Sequence, residues 1–185
     1  MALTAGSKAP DFKTTDQDGN EVTLSGLKGR KVVLYFYPKD MTPGCTAEAC
    51  SLRDNYTALK RAGYEVLGIS TDDQNRHKKF IAKEKLPFRL LADTDKSVHA
   101  KFGTWIEKSM YGRRYMGTAR VTYIINENGI IEEVISKVDT KNHAAQILGT
   151  DQKKSPAVAG KSTVKKAARK VTRKAPTKKV KKKLK

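Results

Sequence analysis

The sequence predicts an α/β domain with a mixed central sheet, on three observations. Apolar runs of strand length alternate with stretches of helical periodicity in the order β, α, β, α, β, α, β, β, α. The run at residues 31–37 is continuously apolar and rich in β-branched and aromatic side chains, as in a strand buried on both faces. The last two runs flank Asn126-Glu127-Asn128-Gly129, a hairpin signal, so parallel βαβ units are closed by an antiparallel pair.

Residues 11–15 and 21–24 flank Asp16-Gln17-Asp18-Gly19-Asn20, whose Gly and Asn suit the positive-φ positions of a turn, and form an N-terminal hairpin. The central strand over 31–37 breaks at Pro38. Thr42 then stands as a helix N-cap, with Pro43 as first helical residue, where its missing N–H costs nothing. That helix carries Leu52, Tyr56 and Leu59 on one face, runs to Arg61 and ends at Gly63. Residues 64–70 are the next strand. Thr71-Asp72-Asp73 opens a helix bearing Phe80 and Ile81, interrupted by Pro87. Residues 88–92 form a third strand, and residues 97–102 a short helix stopped by Gly103. Residues 104–117 read as a loop in which Trp105, Tyr111 and Tyr115 are available to pack over a site. Residues 120–125 and 130–135 make the closing hairpin, and a helix over 142–148 ends at Gly149.

The formal charge of +19 is unevenly spread. Residues 1–150 hold 23 Lys and Arg against 18 Asp and Glu, a net +5, whereas residues 151–185 hold 15 against one, a net +14. The chain therefore reads as a mildly basic domain over 1–150 and a Lys-rich tail over 151–185, which has too few large apolar side chains to bury a core and is expected to be disordered. No apolar run approaches the length of a membrane span, and the N-terminus lacks the apolar core of a signal peptide, so a soluble cytoplasmic protein without a membrane partner is expected. The tail resembles those of linker histones and histone-like bacterial proteins. Its charge density suits non-specific binding to DNA or RNA backbones through counterion release. With no aromatics among the basic residues it lacks a base-stacking platform. Such a tail implies association with the nucleoid in a bacterium or with the nucleus in a nucleated cell; attraction to acidic membranes, a targeting address and simple solubilisation are the alternatives.

Both cysteines fall in the stretch Tyr35-Phe-Tyr-Pro-Lys-Asp-Met-Thr-Pro-Gly-Cys-Thr-Ala-Glu-Ala-Cys50. In a reducing compartment a close pair is redox-active or metal-binding more often than a structural staple. Two cysteines five apart, with His77, His99 and His143 on separate elements, do not make a zinc pattern, so no metal and no other cofactor is expected. The histidines are assigned to the surface or to helix faces. Cys45 lies in the first helical turn, among unpaired backbone N–H groups and at the positive end of the helix dipole, which favours the nucleophilic thiolate. Arg120, at the start of a buried-looking strand in a parallel sheet, is placed to set its guanidinium beside Cys45. Thr42 offers a hydroxyl to the sulfur or to a bound oxygen substrate. Glu48, one turn after Cys45, either tunes the loop or is a solvated or hydrogen-bonded helix residue. Cys50 raises a geometric problem: five residues of helix give about 7.5 Å of rise and roughly 140° of rotation, so the two sulfurs point apart. Either the pair is a redox couple and the helix unwinds during the cycle, or Cys50 is a core residue.

These residues carry a resemblance. Pro38-x-x-x-Thr42-x-x-Cys45, continued as Thr42-Pro43-Gly44-Cys45-Thr46-x-x-x-Cys50, is similar to the active-site signature of peroxiredoxins, and the Cys-x4-Cys spacing resembles the bacterioferritin-comigratory or Q-type subgroup. Ala9-Pro10-Asp11-Phe12, Ser70-Thr71-Asp72, Leu91-Ala92-Asp93, Lys108-Ser109-Met110-Tyr111-Gly112 and residues 120–125 resemble that subgroup in the same order, and the likeness covers residues 5–148. It implies a thioredoxin-like fold and a thiol peroxidase acting on hydrogen peroxide and organic hydroperoxides. By this resemblance Cys45 is the peroxidatic and Cys50 the resolving cysteine, joined in an intramolecular disulfide that thioredoxin or a related dithiol protein reduces. Thr42 and Arg120 would orient the peroxide, with the N–H groups of Gly44 and Cys45 as further donors, and Pro38 would shield the thiolate. A monomer is implied as well. The alternatives are a thiol–disulfide oxidoreductase on the same fold, against which the Cys-x4-Cys spacing speaks, and a nucleic-acid-binding structural protein without catalysis.

Overall fold

The structure, a computed structural model, describes residues 3–110 and 112–154. Expectations for Tyr111 and for the tail beyond residue 154 lie outside the described residues. The elements run β1 (Lys13–Asp16), β2 (Glu21–Thr23), a 3₁₀ turn (Ser25–Leu27), β3 (Lys31–Phe36), α1 (Pro43–Asp54), α2 (Tyr56–Arg61), β4 (Tyr64–Ser70), α3 (Gln74–Glu84), β5 (Arg89–Ala92), α4 (Ser97–Phe102), β6 (Trp105–Met110), β7 (Arg113–Thr118), β8 (Val121–Ile125), β9 (Ile131–Ile135) and α5 (His143–Lys154). Seven strands form one sheet in the order β2-β1-β5-β4-β3-β8-β9. β3, β4 and β5 are parallel, and the remaining pairings are antiparallel. This is the expected thioredoxin-like mixed sheet, with the N-terminal hairpin added at one edge.

β3 shows why a continuous apolar run was needed. Val33, Tyr35 and Tyr37 face a core closed by Leu52, Leu59, Phe80 and Ile147. Val32, Leu34 and Phe36 face a second core with Phe12, Val98, Phe102 and Tyr123. Alternate side chains of one strand thus enter two hydrophobic layers, so both faces must be apolar. Gly68 in β4 serves the first layer: a Cβ there would stand 2.6 Å from the Tyr35 ring, so only glycine lets this aromatic lie flat over the neighbouring strand.

Four expectations are corrected. Residues 104–117 are largely a hairpin, β6 paired with β7 from Trp105↔Thr118 to Met110↔Arg113. Most of β7 is exposed, so the two strands lack the alternation that marks a half-buried sheet. The helix expected to run through to Arg61 breaks at Asn55, whose side-chain Nδ2 donates to the Ser51 carbonyl at 3.0 Å and competes with the helical ladder. The last helix passes through Gly149 to Lys154. β8, the strand that follows Arg120, is antiparallel to both of its neighbours and not part of a parallel array. Among the described residues no helix is long and apolar enough to cross a membrane.

Candidate functional site

The antiparallel pairing of β3 with β8 builds the site. Phe36, the last residue of β3, registers with Val121, the first of β8. The loop leaving β3 toward α1 and the residue entering β8 therefore meet at one end of the sheet, and that residue is Arg120. Its Nη2 lies 3.3 Å from Cys45 Sγ, and its Nη1 pairs with the Glu48 carboxylate. One guanidinium thus holds two side chains a helical turn apart on α1, a geometry that its planar fork suits. A Cβ at Gly44 would stand 3.4 Å from Arg120 Nη2, an ordinary contact distance, so the guanidinium lies directly over the first turn of α1.

Cys45 occupies the first turn of α1 and is 1 % exposed, whereas Cys50 is half-buried; both thiols are free. Thr42 has the extended conformation of an N-cap, and its carbonyl accepts from Thr46 N at 2.8 Å. Its hydroxyl does not cap the helix, however. Thr42 Oγ1 donates to the Lys39 carbonyl at 3.0 Å, so its lone pairs, not its proton, remain available. Pro38 is half-buried and lines a groove of about 430 Å³ shared with Lys39, Trp105, Lys108 and Tyr115. Lys108 Nζ donates to the Thr118 carbonyl at 2.5 Å. Burial, then the Arg120 charge, pushes the Lys108 ammonium below its ordinary value, with Cys45 opposing.

The histidines are not surface residues. His77, His99 and His143 are all fully buried, and each ties one element to another. His77 Nδ1 meets Asp40 Oδ2 at 2.7 Å, and Tyr37 Oη donates to Asp40 Oδ1 at 2.6 Å. Asp40 N also donates to Asp72 Oδ2 at 2.7 Å, so the loop after Pro38 is bolted to α3 and to the end of β4. His99 Nδ1 lies 2.5 Å from Asp93 Oδ2, and its Nε2 pairs with Thr118 Oγ1 at 3.0 Å, fixing the β6–β7 hairpin beside the site. Against the upward push of burial, hydrogen bonds from His99 and from the N–H of Val98 hold the Asp93 carboxyl down at about 2. A signal for two of these was present: His77 lies three and four residues before Phe80 and Ile81, and His99 three before Phe102, so each shares its helix's apolar face.

Glu48 is likewise buried, not solvated. Its Oε2 pairs with Arg120, and its Oε1 stands 3.8 Å from His143 Nε2, which is itself 2.9 Å from Thr122 Oγ1. Burial raises the Glu48 carboxyl from 4.5 to about 7, with Arg120 pulling the other way. Burial lowers His143 from 6.5 to about 4, against a hydrogen bond to Gln146. The linked stabilities have opposite signs. The Glu48 contribution is fully present below pH 4.5 and is lost as pH rises through about 7. The His143 contribution is present above pH 6.5 and lost as pH falls through about 4. Each is worth on the order of 3 kcal/mol, and the two nearly cancel between them. Denaturant unfolding of Glu48→Gln from pH 4.5 to 6.5 is therefore expected to show stability rising with pH, where the unsubstituted protein shows a flatter profile. Parallel profiles would mean that Glu48 does not hold the raised value.

A family model described as the AhpC/TSA family matches residues 5–134. Peroxiredoxin Bcp of Escherichia coli (strain K12) is 49 % identical over 146 residues, covering 79 % of this chain and 94 % of that protein. Peroxiredoxin Bcp of Bacillus subtilis (strain 168) is 42 % identical over 150 residues, covering 81 % and 96 %. Among solved structures, peroxidoxin BcpB from Mycobacterium tuberculosis superposes with a TM-score of 0.73 at 33 % identity, covering 83 % of this chain and 99 % of that one. A Xanthomonas campestris peroxiredoxin Q structure gives a TM-score of 0.74 at 30 % identity, with coverage of 83 % and 97 %.

Proposed function

This chain belongs to the AhpC/TSA family, in its Bcp and Q-type peroxiredoxin group, and is a thiol peroxidase that reduces hydroperoxides; from that premise we propose that Cys45 is the peroxidatic thiol, Cys50 resolves it, and thioredoxin completes the cycle. The observation that carries the assignment is the 3.3 Å contact of Arg120 Nη2 with Cys45 Sγ in the first turn of α1. The Cys45 thiolate attacks the outer oxygen of the hydroperoxide: an S–O bond forms, the O–O bond breaks, and the departing oxygen takes a proton to leave as water or alcohol. Arg120 and the first-turn N–H groups of Gly44 and Cys45, which a helix leaves without intrahelical partners, face the charge that develops. Thr42 Oγ1, its proton committed to Lys39, accepts from the peroxide O–H. Pro38 keeps bulk water off the sulfur, and the groove beside it admits the organic part of a substrate.

Cys50 then displaces hydroxyl from the Cys45 sulfenic acid. Because both cysteines lie within α1, their sulfurs meet only after the helix unwinds between them. The cycle needs no second copy of the chain, and a monomer is the state proposed for it. We further propose that the basic tail, with 15 Lys and Arg against one acidic residue over 151–185, tethers this peroxidase to nucleic acid.

Thioredoxin-coupled peroxide turnover tests the reading. Cys50→Ser is expected to reduce one equivalent of peroxide at the unsubstituted rate and then stall. A chain ending at Lys154 is expected to keep full turnover while losing its salt-sensitive DNA affinity. Sustained thioredoxin turnover by Cys50→Ser would remove Cys50 from the cycle, and undiminished DNA binding by the shortened chain would remove the tether.

A further inference from the structure

Glu84 clasps α1 at two points on one face. Cys50 Sγ lies 3.7 Å from Glu84 Oε2, and Arg53, three residues further along α1, donates from Nη1 to the Glu84 carbonyl at 2.7 Å. Glu84 is the last residue of α3, and Lys85 turns the chain away in the left-handed conformation at φ 54°. That carbonyl therefore belongs to a helix end whose acceptors lack intrahelical donors, which Arg53 supplies. The cycle proposed above gives these contacts no part, yet they hold the segment that must move.

We propose that Glu84 is a positioning residue that retains the Cys50 thiol on α3 and thereby delays disulfide formation, lengthening the life of the Cys45 sulfenic acid. The inference rests on Cys50 being the resolving thiol. In the resolving step the S–S bond forms as the Cys45 S–O bond breaks, and the Cys50 proton leaves with the hydroxyl as water. For this Cys50 must give up the Glu84 carboxylate before its sulfur can approach Cys45. The charged groups that face the thiol are Arg53 and Asp54 on its own helix and Glu84 across from it. Burial raises the thiol above its ordinary value, Arg53 opposes, and Glu84 adds to the rise. Geometry and charge thus act together to hold Cys50 as a bonded, poorly nucleophilic thiol while α1 is folded. A longer-lived sulfenic acid meets a second peroxide more often and passes to sulfinic acid. A residue remote from the peroxide would then set how much oxidant the enzyme survives.

The test compares the full chain with Glu84→Ala and Glu84→Gln, both of which leave the Arg53 contact to the Glu84 backbone in place. Each is mixed with one equivalent of hydrogen peroxide, quenched at intervals, and its sulfenic acid and disulfide are measured by mass spectrometry. Disulfide formation in Glu84→Ala is expected to be about fivefold faster, the size of one lost hydrogen bond. Glu84→Gln, which keeps an acceptor without the charge, should fall between. Peroxide consumption should be unchanged in both, and the peroxide concentration that converts half the protein to sulfinic acid should rise with the disulfide rate. An unchanged rate in Glu84→Ala overturns the inference, and a slower one does so by making Glu84 the proton acceptor of the step. An unsubstituted protein that consumes peroxide without forming a Cys45–Cys50 disulfide overturns the assignment of Cys50 itself, a result distinct from either.

Discussion

Cys45→Ser is expected to lower peroxide consumption to the uncatalysed background while leaving the fold intact. The substitution is nearly isosteric and the site is buried, so packing against Ala49 and Leu52 in the first core changes little. The chemistry changes completely, because a hydroxyl is far weaker in acid strength and in nucleophilicity than a thiol. Cys50 cannot substitute for it. Burial raises its thiol, Arg53 opposes, and Glu84 raises it further, and it faces that carboxylate and not the Arg120 guanidinium. Peroxide consumption by purified Cys45→Ser, followed alongside thermal unfolding, checks both halves of the expectation. Retained turnover would place the reactive thiol elsewhere.

The second large effect concerns Arg120. Arg120→Gln is expected to reduce kcat/KM for peroxide by roughly 10²–10³, the usual cost of removing a preorganised donor from developing charge. Part of the loss arises through Glu48. Its Oε1 already lacks a hydrogen-bond partner in the buried site, and without the guanidinium the whole carboxyl would stand unpaired. Breaking a buried ion pair in this way costs about 3–5 kcal/mol when the remaining charge persists. Here burial already raises the Glu48 carboxyl to about 7 despite the guanidinium, so in the variant it takes up a proton across the neutral range and the stability cost falls short of that figure. Arg120→Lys should recover little activity, because a single ammonium cannot serve Cys45 and Glu48 in the fork geometry that the guanidinium provides. Steady-state kinetics of both variants, with circular dichroism as a control for folding, measures the effect. A Lys variant near full activity would mean that charge alone, without the bidentate placement, is sufficient.

The parts of this molecule legible in the sequence are those written in local patterns. β3 was readable because burial on both faces demands an unbroken apolar run, and the start of α1 because Thr42-Pro43 is a local signal. Cys45 and Arg120 were both anticipated. Their meeting, however, depends on the antiparallel registration of Phe36 with Val121, and not on the parallel arrangement that the sequence suggested. What stayed hidden was carried by long-range polar pairs. Asp40 with His77, Thr118 with His99 and Thr122 with His143 join elements well separated in the chain. A histidine in a one-dimensional reading is most often exposed, and nothing local reports that a polar partner waits across the core. The β6–β7 hairpin is illegible in the sequence for the opposite reason: its largely exposed second strand leaves no alternation to detect.

Which sulfur is oxidised first, and what it then bonds, decides the roles of both cysteines. Rapid-quench peptide mapping of the unsubstituted chain after one equivalent of hydrogen peroxide answers this directly. The expected result is a sulfenic acid on Cys45 at the earliest times, converting fully to an intramolecular Cys45–Cys50 disulfide. Oxidation appearing first on Cys50, with Cys45 still a free thiol, would contradict it.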